Sequence, residues 1–143
     1  EPSLADLRRK VVVLHAFQML CPGCILHGVP QTTKIHAFVD PVDVAVIGLH
    51  SVFENHHAMT SDSLRMFLSE FRVSFPVAVD RHEGLEPLPL TMKAYGMRGT
   101  PSLLLIDRAG RLRAHTFGKV EDLALGAAIQ QLTDESYPNQ EPI

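Results

Sequence analysis

This chain contains several short runs of apolar residues, and most of these runs are rich in β-branched side chains. Such runs, bounded by turn-forming residues, predict β-strands. The first run, Val11–Phe17, is apolar at nearly every position, which is typical of a strand buried on both faces of a sheet. The predicted strands are residues 11–17, 42–49, 75–79, 102–107 and 112–117. A turn at residues 108–111 would join the last two as an antiparallel hairpin.

Between these strands, the apolar spacing changes to that of helices. The clearest case has Thr60 or Ser61 as its N-cap and apolar residues at i, i+3, i+4 and i+7. Those four positions are Leu64, Phe67, Leu68 and Phe71. Two further helices are predicted at residues 91–95 and 120–132.

A helix is also predicted from Cys21 to about Phe38. Pro22 would occupy its first position, where a missing N–H costs nothing. Pro30 should kink this helix, because its ring clashes with the carbonyl group of Leu26.

The order of these elements predicts an α/β fold with a central mixed β-sheet and helices on both faces. We expect one domain over residues 1–143, with a core at about residues 7–132 and a polar C-terminal tail.

Composition argues against some classes of function but does not identify one. A net charge of −3 gives no long-range attraction to nucleic acid, and no apolar run reaches the length of a membrane span. Glu54, His56 and His57 share a polar loop, but adjacent histidines do not readily bind one ion. We therefore predict no metal, no cofactor, no nucleic-acid partner and no membrane span. No visible segment directs export, which favours the cytoplasm, although removal of a signal before Glu1 would allow a periplasmic location.

The strongest chemical signal is Cys21-Pro22-Gly23-Cys24, which contains the only two cysteines of the chain. A C-x-x-C between a strand and a helix is typical of a redox dithiol. A structural or metal-binding pair is the alternative, but the disulfide would close a very short loop and no second cysteine pair completes a zinc site.

Residues 11–17 followed by this motif, then Phe75-Pro76-Val77 and the run from Tyr95 to Arg111 containing Gly99-Thr100-Pro101, resemble the thioredoxin superfamily. The similarity is greatest to its TlpA/ResA-type and redoxin branch and extends from Leu7 to Leu132. It implies a thioredoxin-like three-layer fold, exchange of protein disulfides and dithiols, and an upstream thiol reductant. It also implies that Pro101 is cis and faces the dithiol. We also expect a monomer.

Three features depart from the family pattern. They bear on which protein is the partner and on the reduction potential of the dithiol. Leu20 stands where the family usually has Trp. Pro30 lies six residues after Cys24 rather than five, and the dipeptide between the cysteines is Pro-Gly.

At the helix N-cap, a Cys21 thiolate would accept backbone N–H bonds and feel the positive end of the helix dipole. We therefore expect Cys21 to be the nucleophile and Cys24 the resolving thiol. Pro22, Gly23, Thr100 and Pro101 are expected to form the substrate-binding surface.

A base for Cys24 has two candidates. His15 occupies the position where thioredoxins carry a buried acid, and it shares a strand face with Val11, Val13 and Phe17. His27 lies three residues after Cys24, so we expect it on the same helix face. An ordinary histidine without a catalytic role is the alternative at both positions.

Two other functions stay open at this point. A peroxiredoxin-like peroxidase shares the fold, but Gln18 stands where such enzymes carry Thr or Ser. A thioredoxin-like interaction module with an incidental dithiol is the other alternative.

Overall fold

The computed structural model describes residues 4–135, and at its centre lies one five-stranded sheet. The strands are β1 (Val11–Phe17), β2 (Val44–His50), β3 (Val77–Val79), β4 (Ser102–Ile106) and β5 (Leu112–Phe117). Their order across the sheet is β3-β2-β1-β4-β5. The first three strands are parallel, whereas β4 runs antiparallel to both β1 and β5, so the sheet is mixed as predicted.

The helices between the strands and after the last strand lie at the predicted places, whereas the short α1 before β1 was not predicted. They are α1 (Leu4–Leu7), a π-helical turn (Cys24–Gly28) that continues into α2 (Val29–Phe38), α3 (Ser61–Glu70), α4 (Leu90–Ala94) and α5 (Asp122–Asp134). Thr60 caps α3 by accepting a hydrogen bond from the Ser63 N–H at 3.2 Å. The polar tail was predicted to begin after about residue 132, but α5 extends to Asp134. The part of that tail from residue 136 onward lies outside the described residues.

Alternating residues of β1 face two different helical layers. On one face, Val11 and Val13 pack with Leu125 and Ile129 of α5, and Phe17 packs with side chains of α3. On the other face, Ala16 packs with Met92 of α4. Helices therefore cover both faces of the sheet, as the sequence predicts.

Several boundaries differ from the sequence-based expectation. Strand β2 begins at Val44 rather than residue 42, because residues 41–43 form a turn and Val42 is 73% exposed. Phe71 was expected on the apolar face of α3, but it lies at the end of that helix and is 60% exposed. Its ring packs on Phe67 instead.

Candidate active site

Cys21 lies in the N-cap position of the helix that follows β1. Helical structure begins at Pro22, and the Cys21 carbonyl group accepts the first helical hydrogen bond from the Ile25 N–H at 3.1 Å. The Cys24 N–H donates to the Cys21 sulfur at 3.4 Å. This N-cap arrangement places a backbone donor on the sulfur that would carry negative charge as a thiolate.

The two thiols differ sharply in exposure. Both are free cysteines, and Cys21 is partly exposed whereas Cys24 is fully buried. Burial, reinforced by the hydrogen bond with Cys21, raises the pKa of Cys24 to about 12. Cys24 is therefore protonated and inaccessible in the reduced protein, so a disulfide of another molecule meets Cys21 first.

The helix is distorted just before Pro30. Residues 24–28 form a π-helical turn, in which the Val29 N–H reaches back to the carbonyl group of Cys24. Pro30 has no N–H to donate, so a regular α-helical bond is absent at this point. The expected irregularity is present, as a wider turn next to the proline.

The π-helical turn overturns the predicted placement of His27. Three residues make almost a full turn of a regular α-helix but a smaller part of the wider π-helical turn, so the position of His27 is rotated further from the face of Cys24. His27 is accordingly exposed, whereas Cys24 is fully buried.

The loop before β4 forms the other side of the site. The Thr100–Pro101 peptide bond is cis, as the family resemblance implies. The Cys21 thiol donates to the Thr100 carbonyl group at 3.4 Å. A Cβ atom added to Gly23 would lie 3.4 Å from Pro101 Cδ, so the dipeptide between the cysteines packs closely on the proline. Pro22 lies next to Gly23 and is exposed.

His15 lies beneath this loop, on the strand face predicted for it. Its imidazole stacks on Phe17 with ring centres 5.7 Å apart, and only 1% of the residue is exposed. Neither ring nitrogen has a hydrogen-bond partner among the described residues. Burial lowers the pKa of His15 to about 4, so the ring is neutral at pH 7.

A neutral buried imidazole can accept a proton, which fits the predicted base. However, the pKa values of His15 and Cys24 are far apart, so complete proton transfer between the two isolated groups is strongly uphill. If His15 is the base, it must take the Cys24 proton only partly, in the transition state of the attack on Cys21. Negative charge is then moving from one sulfur to the other.

A small cavity links His15 to the surface. Its volume is about 10 Å³, room for about one water molecule, and its lining includes His15, His27, Gly28, Gln31 and Pro101. The two predicted base candidates thus flank one cavity, with His15 buried and His27 at the exposed side.

Three residues of the site were not predicted to belong to it. Gly28 gives the His15 ring its space, since an added Cβ atom would lie only 2.7 Å from the ring's Cε1 and closer still to its Nε2. Buried Gln18 contacts Thr100. His50 accepts the Met19 N–H at 3.2 Å, and burial lowers the pKa of His50 to about 4. A single histidine, glycine or glutamine in a sequence gives no signal for such contacts.

Among residues 4–135, no group of three His, Cys, Asp or Glu side chains is arranged to hold a metal ion. No helix in this part of the chain has the length and apolar character needed to cross a membrane.

Comparison with solved structures identifies close relatives. A thiol-disulfide isomerase from Corynebacterium glutamicum is 52% identical, with a TM-score of 0.92 over 95% of this chain and 88% of that one. The thioredoxin-like superfamily protein SPOA0173 is 58% identical, with a TM-score of 0.92 over 96% of this chain and 89% of that one. StoA from Bacillus subtilis, 18% identical with a TM-score of 0.67 over 84% and 82% of the two chains, shares the fold.

No protein-family model and no curated protein sequence matches this chain. The two relatives that are more than half identical cover nearly all of it, and they share the fold that holds Cys21 and Cys24 beside Thr100 and Pro101. The chain therefore belongs to the thioredoxin-like superfamily, as a thiol-disulfide oxidoreductase with a C-x-x-C pair.

Proposed function

We propose that this protein reduces or exchanges disulfides of other proteins through the Cys21–Cys24 pair. The observation that carries the proposal is the asymmetry of the two thiols around one helix N-terminus. Cys21 is partly exposed and receives the Cys24 N–H, whereas Cys24 is fully buried behind it. The 52% identity to a thiol-disulfide isomerase supports exchange as well as simple reduction.

The chemistry balances with these two residues alone. The Cys21 thiolate attacks one sulfur of the substrate disulfide, forming a mixed disulfide and releasing the other sulfur as a thiolate. Cys24 then attacks the Cys21 sulfur, and the proton that it gives up ends on the substrate sulfur that leaves. The second substrate thiol is released, and a Cys21–Cys24 disulfide remains. A thiol reductant must restore the dithiol before the next turnover.

The Thr100–Pro101 loop supplies the complementary surface for an extended peptide. Proline offers no N–H, so pairing along this edge relies on the backbone of Thr100. The Thr100 carbonyl group contacts the Cys21 thiol at 3.4 Å, so a peptide that pairs with the Thr100 backbone would lie next to the nucleophile.

The test is turnover of a defined protein disulfide, such as insulin, by the reduced protein with dithiothreitol as donor. Wild type should reduce it, Cys21→Ser should be inactive, and Cys24→Ser should fail to turn over repeatedly. Lack of any rate above dithiothreitol alone would refute the proposal. Rapid consumption of hydrogen peroxide under the same conditions would favour a peroxidase instead.

A further inference from the structure

Gln18 is a long polar side chain placed where the chain leaves β1 for the dithiol. Only 1% of it is exposed. Burying an amide without hydrogen bonds is costly, so buried glutamines are held by specific partners. The partners of Gln18 come from two separate loops that border the dithiol.

The orientation of the amide is set by a backbone group. The Phe53 N–H donates to Gln18 Oε1 at 3.1 Å. Since a backbone N–H can only donate, the atom facing it must be the amide oxygen. The NH₂ group of Gln18 is therefore turned away from the Phe53 N–H.

On that side, the NH₂ group meets two acceptors. Gln18 Nε2 lies 3.4 Å from Thr100 Oγ1 and 3.5 Å from Glu54 Oε1. Both distances are long for hydrogen bonds, so each contact is weak by itself. Only the contact with Oγ1 holds the Thr100 side chain, and it does so from inside the protein.

The backbone of the same residue holds the nucleophile. The Gln18 carbonyl group accepts the Cys21 N–H at 3.0 Å. One residue thus contacts both parts of the proposed substrate-binding surface: Cys21 through its main chain and Thr100 through its side chain.

We infer that Gln18 is a positioning residue, which fixes the Thr100–Pro101 loop at the distance from Cys21 that a peptide disulfide requires. This inference rests on the proposed function and adds a specificity device to it. A peptide substrate uses both the nucleophile and the Thr100 backbone. A small disulfide needs only the nucleophile, so it depends far less on Gln18.

The experiment compares two disulfides, insulin and 5,5′-dithiobis(2-nitrobenzoate), in kcat/KM measurements on the full chain. Gln18→Met keeps the volume and removes the amide, and Thr100→Val removes the acceptor hydroxyl. Each should lower kcat/KM for insulin about threefold, mainly by raising KM, as expected for loss of a weak neutral hydrogen bond. The ratio of the insulin rate to the small-disulfide rate should fall about twofold or more.

Matched controls are available in α5. Gln130 is exposed and donates to Asp134, and Thr133 donates to the carbonyl group of Ile129 within the same helix. Gln130→Met and Thr133→Val make the same chemical changes away from the dithiol, and they should leave the ratio unchanged.

The double variant Gln18→Met/Thr100→Val decides the mechanism. If Gln18 acts through Thr100, the double variant should lose less than twofold beyond Thr100→Val alone. Independent, multiplying losses would overturn the inference, and so would equal losses on both disulfides. If Gln18→Met does not fold, Thr100→Val alone carries the test, and an unchanged ratio in it counts against the inference. A wild type that reduces neither disulfide would instead refute the proposed function.

Discussion

Gly28→Ala is the substitution for which the structure makes its sharpest prediction. Gly28 lies in the π-helical turn with ordinary helical backbone angles, φ −62° and ψ −54°. Alanine favours a helix over glycine by about 1 kcal/mol, so propensity alone predicts a more stable protein.

Packing predicts the opposite effect of Gly28→Ala, a less stable protein. The added Cβ atom would meet His15 Cε1 at 2.7 Å, against 3.4–4 Å for ordinary contact, and it would lie nearer still to Nε2. Apart from the cavity of about 10 Å³ beside it, the ring has little room to retreat, because it stacks on Phe17 and is almost completely buried. Overpacking a core costs about 1–3 kcal/mol, and this contact falls at the upper end. We therefore expect a net loss of about 2 kcal/mol in the free energy of unfolding.

Gly126→Ala is the matched control. It makes the same change in α5, where the added Cβ atom meets nothing within 4 Å. It should stabilise the protein by up to about 1 kcal/mol. Urea unfolding followed by circular dichroism measures both variants on one scale.

A double variant isolates the cause. In a His15→Ala background the clash is gone, so Gly28→Ala should no longer destabilise and should approach the effect of Gly126→Ala. If Gly28→Ala stabilises the wild-type protein as much as Gly126→Ala does, the packing of the imidazole on the helix is wrong.

Two further predictions concern protonation and reactivity. Burial lowers the pKa of His15 and of His50 to about 4, so between pH 6.5 and 4 the unfolded chain binds protons that the folded chain does not. Stability should therefore decrease as pH falls through that range, by at most about 3 kcal/mol per histidine, and His15→Ala should show a shallower decrease in urea unfolding. An equal slope in both proteins would contradict the buried, neutral His15. In the reduced protein at pH 8, iodoacetamide should modify Cys21 and spare Cys24, whose pKa is about 12. Peptide mapping by mass spectrometry checks this, and equal labelling would contradict the asymmetry of the pair.

Much of the fold follows from local patterns in the sequence. Strand β1 is a continuous β-branched run, and α3 combines an N-cap at Thr60 with a helical apolar stripe, so both were predictable. Phe71 was placed wrongly because the apolar spacing continues past the point where the chain leaves the helix. Periodicity reports which side chains could share a face, but not where the face ends.

The site was predictable only where a motif spans neighbouring residues. Cys21 and Cys24 are adjacent on one helical turn, and the resemblance supplied Thr100 and Pro101. The placement of His27 failed because a local rule assumed a regular helix, whereas Pro30 favours a π-helical turn. The contact of Gln18 with Thr100 joins residues 82 positions apart, so only the folded chain shows it.

The most direct test of the central claim is to trap the mixed disulfide. Cys24→Ser, mixed with a peptide that contains one disulfide, should form a stable covalent adduct, and mass mapping should place the bond at Cys21. The reciprocal Cys21→Ser protein should form none, because Cys24 is fully buried and its thiol stays protonated. An adduct formed equally well through Cys24, or no adduct at Cys21, would contradict the assignment of Cys21 as the nucleophile and Cys24 as the resolving thiol.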